Sequence, residues 1–186
     1  MRIKIFVLLC LTAIMQFTGV TPLKASHYYY KQLSLKDGVT SAVRCILTDK
    51  QGFVWIGTKA GISRYDGHEL KKYVYSPNNP HSIPNNLIHQ IAEDEMSNIW
   101  ILTDKGIARY QRQSDDFFLP TDEKGNPIIA YSTCLTKDGV LFGSKDKVYF
   151  YSYRDSSLRL LQKLNKGNNF NISLLSLWLS LIHISE

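Results

Sequence analysis

The sequence predicts an all-β chain: about three four-stranded β-propeller blades, an incomplete propeller, after a signal peptide. A block of residues occurs twice at a constant offset of forty-five: Ile46, Asp49, Trp55, Ile56, Thr58, Gly61, Ile62, Arg64 and Tyr65 recur as Ile91, Asp94, Trp100, Ile101, Thr103, Gly106, Ile107, Arg109 and Tyr110. A period in the forties is the length of one four-stranded blade. The segments between these residues are short, apolar and rich in β-branched and aromatic side chains, with no helical period. Glycines and prolines stand where turns and linkers need them.

Residues 42–48 read as a first strand, 49–52 as a polar turn and 53–56 as a second strand covered on both faces. The second copy repeats this with strands 87–92 and 99–102 around a turn at 94–97. Each pair is a hairpin. At 58–61 and 103–106 a glycine closes a tight turn, and Ile-x-Arg-Tyr starts a third strand. A fourth strand is expected at 70–75, with Lys71 and Lys72 discouraging pairing along an outer edge. Pro77, Pro80 and Pro84 punctuate the linker 76–86. A degenerate third copy follows at 135–144, with a shorter turn and Leu141 in place of Trp, and 148–153 alternates like the third strand.

Residues 49–66, DKQGFVWIGTKAGISRYD, resemble the blade signature of the two-component regulator propeller repeat found in hybrid two-component sensors of glycan-degrading gut bacteria. SPNNPHSIPNN at 76–86 resembles that family's linker, and 29–43, with Leu33-Ser34 and Asp37-Gly38-Val39, looks like its mature amino terminus. The resemblance covers residues 28–172 and is strongest from 37 to 110. The signature positions are Asp49, Trp55, Gly57, Thr58, Gly61, Arg64 and Tyr65, then Asp94, Trp100, Thr103, Gly106, Arg109 and Tyr110. The resemblance implies a periplasmic sensor that binds an oligosaccharide, is homodimeric in full length, and controls transcription through a histidine kinase and receiver beyond a transmembrane helix. Ligand binding would shift the placement of paired sensor domains and so bias the kinase. Diguanylate cyclases, exported lyases or hydrolases and adhesion or scaffolding proteins also use propellers, so fold alone leaves these alternatives open.

The amino terminus predicts export on its own. Arg2 and Lys4 precede an apolar run at 5–15, and Ala25 offers a cleavage point, giving a signal peptide at 1–25 and blades at 26–172. Cys10 lies inside the apolar run rather than after a small residue at its end, unlike a lipoprotein signal. The net charge is +6, and loss of Arg2, Lys4 and Lys24 leaves nineteen basic against sixteen acidic residues. That excess is small and scattered, which speaks against a nucleic-acid surface.

Cys45 and Cys134 fall on first strands of the first and third blades, too far apart to pair, so buried free thiols are expected. His27, His68, His81, His89 and His183 show no metal-ligand spacing, and no nucleophile elbow or phosphate loop is present. No catalytic residue, metal or cofactor is assigned. The carboxylates at 93–95 and 115–116 are expected in turns, where they satisfy amides or face water. Residues 122–126 lack the ligand pattern of a calcium loop and read as a turn.

Trp55 and Trp100, each in mid-strand, are expected to pack between blades rather than to stack on sugar. Ligand contacts in a propeller come from its loops, which nominates Lys59, His68, His81, Asn85, Asn86 and Lys105. A ring needs about 300 residues at this period, so further blades are expected beyond this sequence. Residues 173–186 leave the repeat pattern. Their last ten, 177–186, are expected to be foreign to the protein, since 179–186 resembles translated sequencing-adapter read-through. Alone, such a piece exposes a sheet edge and a blade face and would be marginally stable.

Overall fold

The computed structural model describes residues 42–163. The expected signal peptide, His27, His183, the tail 173–186 and Tyr28, Tyr29 and Tyr30, for which the sequence predicts an early edge strand rather than a site, lie outside the described residues.

Among the described residues, three four-stranded antiparallel sheets follow one another in sequence, each a simple meander. The first holds β1 (Val43–Thr48), β2 (Val54–Thr58), β3 (Gly61–Tyr65) and β4 (Leu70–Tyr73). The second holds β5 (Ile88–Glu93), β6 (Ile99–Thr103), β7 (Gly106–Gln111) and β8 (Asp116–Phe118). The third holds β9 (Ser132–Thr136), β10 (Gly139–Gly143), β11 (Lys147–Ser152) and β12 (Leu158–Lys163). The described residues are thus all-β, built of propeller blades, and the degenerate third copy is a complete one.

Burial follows the two-face logic of stacked sheets. Every residue of β6 and of β10 is buried, and β6 lies inside its sheet with a neighbouring blade on either face. Two apolar layers result. Trp55, Ile62 and Tyr73 of the first blade meet Ile91, Ile99, Ile101, Ala108, Tyr110 and Phe117 of the second. Trp100, Leu102 and Ile107 of the second meet Val140, Phe142, Tyr149 and Tyr151 of the third. Side-chain alternation along one strand therefore serves two seams, with Ile99 and Ile101 facing back and Trp100 and Leu102 facing forward.

The first strands lie on the side where blades converge, since β1 and β5 run against each other. The antiparallel order sends the β2–β3 and β6–β7 turns and the inter-blade linkers to one end of the sheets, and the remaining turns to the opposite end. The first may be called the linker end. On both β1 and β5 the ladder slips by one residue near this end, leaving Arg44 and His89 as the extra residues. The register of β9 on β10 is unbroken.

Some expectations need correction. The fourth strand stops at Tyr73 instead of reaching 75, because the Tyr75 amide turns away to donate to Asn86 Oδ1 at 2.7 Å. The third strand of the last blade runs from Lys147 to Ser152, one residue earlier than expected at each end. Cys45 and Cys134 are free but only partly buried. Glu93 closes β5 and Asp116 opens β8, so these two belong to strands rather than turns, while Asp94 keeps to its turn, where it accepts from the Asn98 amide. The linker itself is packed, with Ile83 fully buried and the Asn86 carbonyl accepting from the Gly61 amide at 2.8 Å.

Candidate functional site

One arrangement is repeated at both seams. At the first, Trp55 Nε1 donates to Asp49 Oδ2 at 3.0 Å, and the indole meets the Tyr110 ring of the next blade at 4.8 Å, edge to face. Arg64 lies over both rings, at 5.9 and 5.6 Å, and its Nη1 donates to the Tyr110 hydroxyl. At the second, Trp100 donates to Asp94 at 2.8 Å and meets Tyr151 at 4.8 Å. Arg109 lies over Trp100 and Tyr151, at 5.9 and 5.5 Å, and donates to the Tyr151 hydroxyl.

Each aspartate also closes the turn that precedes its strand. Asp49 Oδ1 accepts from the Phe53 amide at 2.9 Å, and Asp94 Oδ1 accepts from the Asn98 amide at 2.8 Å. Burial works to raise the Asp49 pKa, but the Trp55 indole, the Phe53 amide and the Arg112 guanidinium outweigh it and hold the carboxyl below its ordinary range. Thr58 and Thr103 repeat a second turn lock, their hydroxyls donating to the Gly61 and Gly106 carbonyls at 2.9 and 2.8 Å. Gly61 has φ +114, and a Cβ there would lie 2.5 Å from the Tyr73 carbonyl oxygen, so only glycine fits. Gly106 lies against Pro84 and Pro127. Tyr65, the counterpart of Tyr110, donates to the Gly67 carbonyl on the rear of the first blade.

The first seam carries an additional ionic centre. Asp115 accepts from Tyr73 at 2.6 Å and from the Tyr110 hydroxyl, pairs with Arg64 at 3.2 Å, and is in direct contact with Lys71. Burial works to raise its pKa, and the bonds from Lys71, Tyr110 and Tyr73 together with the Arg64 charge override this, lowering it to about 2. Burial and the bond to Asp115 push both phenols up. Beside it, Arg112 reaches Asp49 Oδ2 at 3.1 Å, Gln51 Oε1 at 2.8 Å and the Ser97 carbonyl at 3.2 Å, tying two blades at their turn end. These groups are committed to one another.

The linker end offers the other polar grouping. His89, the extra residue on β5, hydrogen-bonds through Nε2 to Asp104 Oδ1 of the β6–β7 turn. Its ring lies 6.4 Å from that of Tyr131, at the start of the third blade, which is 51 % exposed. Gln90 Nε2 donates to Thr133 Oγ1 at 3.1 Å and joins the same two blades. Tyr131 is held through its backbone amide, which donates to the Gly143 carbonyl at 2.9 Å. No group of three or more His, Cys, Asp or Glu residues suited to a metal occurs among the described residues.

The nominated loop residues do not converge on one site. Lys59 lies in the β2–β3 turn, and Asn85 and Asn86 spend their side-chain carbonyls on the Leu87 and Tyr75 amides. Lys105 belongs to a cleft of about 350 Å³ on the outer flank, with Tyr75, Pro77 and Leu119. The His81 carbonyl accepts from the Phe117 amide, so that residue borders the outer strand β8. His68 sits in the β3–β4 turn at the far end. Sequence reasoning missed His89, Asp104 and Tyr131; the displaced pairing of β5 that exposes His89 has no composition signal.

Residues 37–60 match the family model described as Two component regulator propeller. Over 59 residues the chain is 37 % identical to a protein named Histidine kinase P4 from Formosa agariphila, covering 31 % of this chain and 4 % of that protein. Two solved structures from B. thetaiotaomicron are similar in fold. One, the extracellular domain of a protein described as a one-component system, has a TM-score of 0.58 at 18 % identity, covering 77 % of this chain and 22 % of that one. The other, described as that of a hybrid two-component system, has a TM-score of 0.53 at 24 % identity, covering 75 % and 17 %. The chain thus spans a small part of each of these relatives. Residues 37–60 thus match the two-component regulator propeller repeat, and the copy forty-five residues on repeats its signature and its blade fold.

Proposed function

We propose that the chain is part of the ligand-sensing region of a hybrid two-component regulator, exported by residues 1–25 and working in the periplasm. The blades, within residues 26–172, hold one another through repeated seams and present their linker-end loops to an oligosaccharide. In the full-length protein a transmembrane helix would connect a dimer of such sensors to a histidine kinase inside the cell, and ligand would shift the balance between two arrangements of the dimer. The observation that carries this reading is the regulator propeller repeat itself, present in two copies with the same seam chemistry. Rigid seams leave the loops as the variable, binding part of a propeller.

The test is to sequence the parent locus in frame beyond residue 172 and to measure autophosphorylation of the intact protein in membranes with and without oligosaccharides. More blades, a membrane helix and a ligand-dependent kinase are expected. A frame that ends after a closed ring, or enters a hydrolase or lyase domain, would overturn the reading.

A further inference from the structure

We propose that His89, Asp104 and Tyr131 form a saccharide subsite at the linker end, where the second and third blades meet on their inner side. Tyr131 stacks against the apolar face of a pyranose ring, and Asp104, with the His89 imidazole beside it, takes hydrogen bonds from two adjacent ring hydroxyls. The chemical class of ligand rests on the sensing role proposed above; the place rests on the geometry.

The ladder slip at His89 is the first argument. An extra residue gives up regular pairing and re-aims a side chain, and such bulges concentrate beside binding sites. Here it brings the imidazole onto the Asp104 carboxylate in the neighbouring turn. Stability does not explain that contact, because a pair whose carboxylate side chain is 47 % exposed is worth about 0–1 kcal/mol. The slip recurs at Arg44 in the first blade and is absent from the third, so it is not a necessity of every blade.

Tyr131 is the second argument. Scattered exposed aromatics are ordinary, but this one is held at its backbone and has its ring within 6.4 Å of the imidazole. Gln90 and Thr133 clamp the two blades alongside it, so the three groups keep their spacing before any ligand arrives. An aromatic face next to a carboxylate that still offers lone pairs suits a polyol with one apolar face. A phosphate would be repelled by Asp104.

The experiment is calorimetric titration of the intact protein with cellohexaose, mannohexaose, xylohexaose and arabinohexaose. It is run on the wild type and on Tyr131→Ala, Asp104→Asn and, as a control on the outer flank, Tyr75→Ala. Tyr131→Ala and Asp104→Asn should each weaken a hexasaccharide that the wild type binds by tenfold or more, with unchanged melting temperature, while Tyr75→Ala binds normally. Wild-type affinity in both rim variants would overturn the subsite and leave the sensing role standing. Failure of all four probes to bind the wild type would overturn the subsite together with the oligosaccharide reading.

Discussion

Trp100 Nε1 donates to Asp94 Oδ2 at 2.8 Å across five intervening residues, and both side chains are withdrawn from water. The same carboxylate accepts from the Asn98 amide and side chain, so a single group fixes the hairpin turn and the ring that seals the seam. Asp49 and Trp55 repeat the relationship at 3.0 Å.

The first prediction concerns this pair. Asp94→Ala leaves an indole N–H and a turn amide unsatisfied in a buried place, for a loss of about 2–4 kcal/mol. Trp100→Phe removes the donor and some volume but keeps an aromatic ring at the seam. A double-mutant cycle on urea unfolding of the intact protein should give a coupling of about 1–3 kcal/mol between the two. Strict additivity would show that the bond contributes nothing beyond packing.

A second prediction follows from Asp115. Its folded pKa, about 2, lies below the ordinary carboxylate value, so the folded state holds fewer protons than the unfolded chain in that range. The stabilisation it provides is complete above about pH 4 and is lost as pH falls from there through about 2. The carboxylate is 31 % exposed in its side chain, which limits the effect to about 1–2 kcal/mol. Asp115→Asn should flatten the stability profile between those pH values and lower stability at neutral pH. A wild-type slope retained in the variant would assign the acid sensitivity elsewhere.

Arg112 supports a third. Its guanidinium serves Asp49, Gln51 and the Ser97 carbonyl at once, a fork that a lysine ammonium cannot reproduce. Arg112→Lys keeps the charge but should still cost about 1–2 kcal/mol, close to Arg112→Ala. Near-neutral behaviour of the lysine variant would mean that charge alone holds these turns together.

How much of this was legible in the sequence depends on whether the signal repeats. Asp49 and Trp55 recur at the same spacing as Asp94 and Trp100, and both are lost together in the third copy, where Leu141 replaces the Trp and the turn shrinks. That joint loss is a readable sign of a pair that works as a unit. Arg64 with Tyr110 was harder, because the partners sit on different blades and only the stacking of sheets brings them together. Asp115 has no counterpart in the other copies, so periodicity could not separate it from an ordinary turn acid. His89 depends on a one-residue slip that hydrophobic alternation does not encode, and the scattered loop nominations show that exposure and polarity alone do not locate a site.

The last prediction tests why the first blade has glycine at position 57 while the second has Leu102. A Cβ on Gly57 would lie 2.5 Å from Cys45 Sγ and 2.8 Å from Ile88 Cγ2, between its own first strand and the first strand of the next blade. Gly57→Ala should therefore push β1 and β5 apart and cost about 1–3 kcal/mol, against the usual gain from replacing a strand glycine. Cys45→Ala removes the nearest atom but not the Ile88 contact, so adding it should restore part of the loss. The comparison is made by thermal unfolding of the intact protein. Full rescue would place the whole strain within the first blade, and no rescue would place it at Ile88; a neutral Gly57→Ala would show that the two inner strands do not approach as closely as the seam requires.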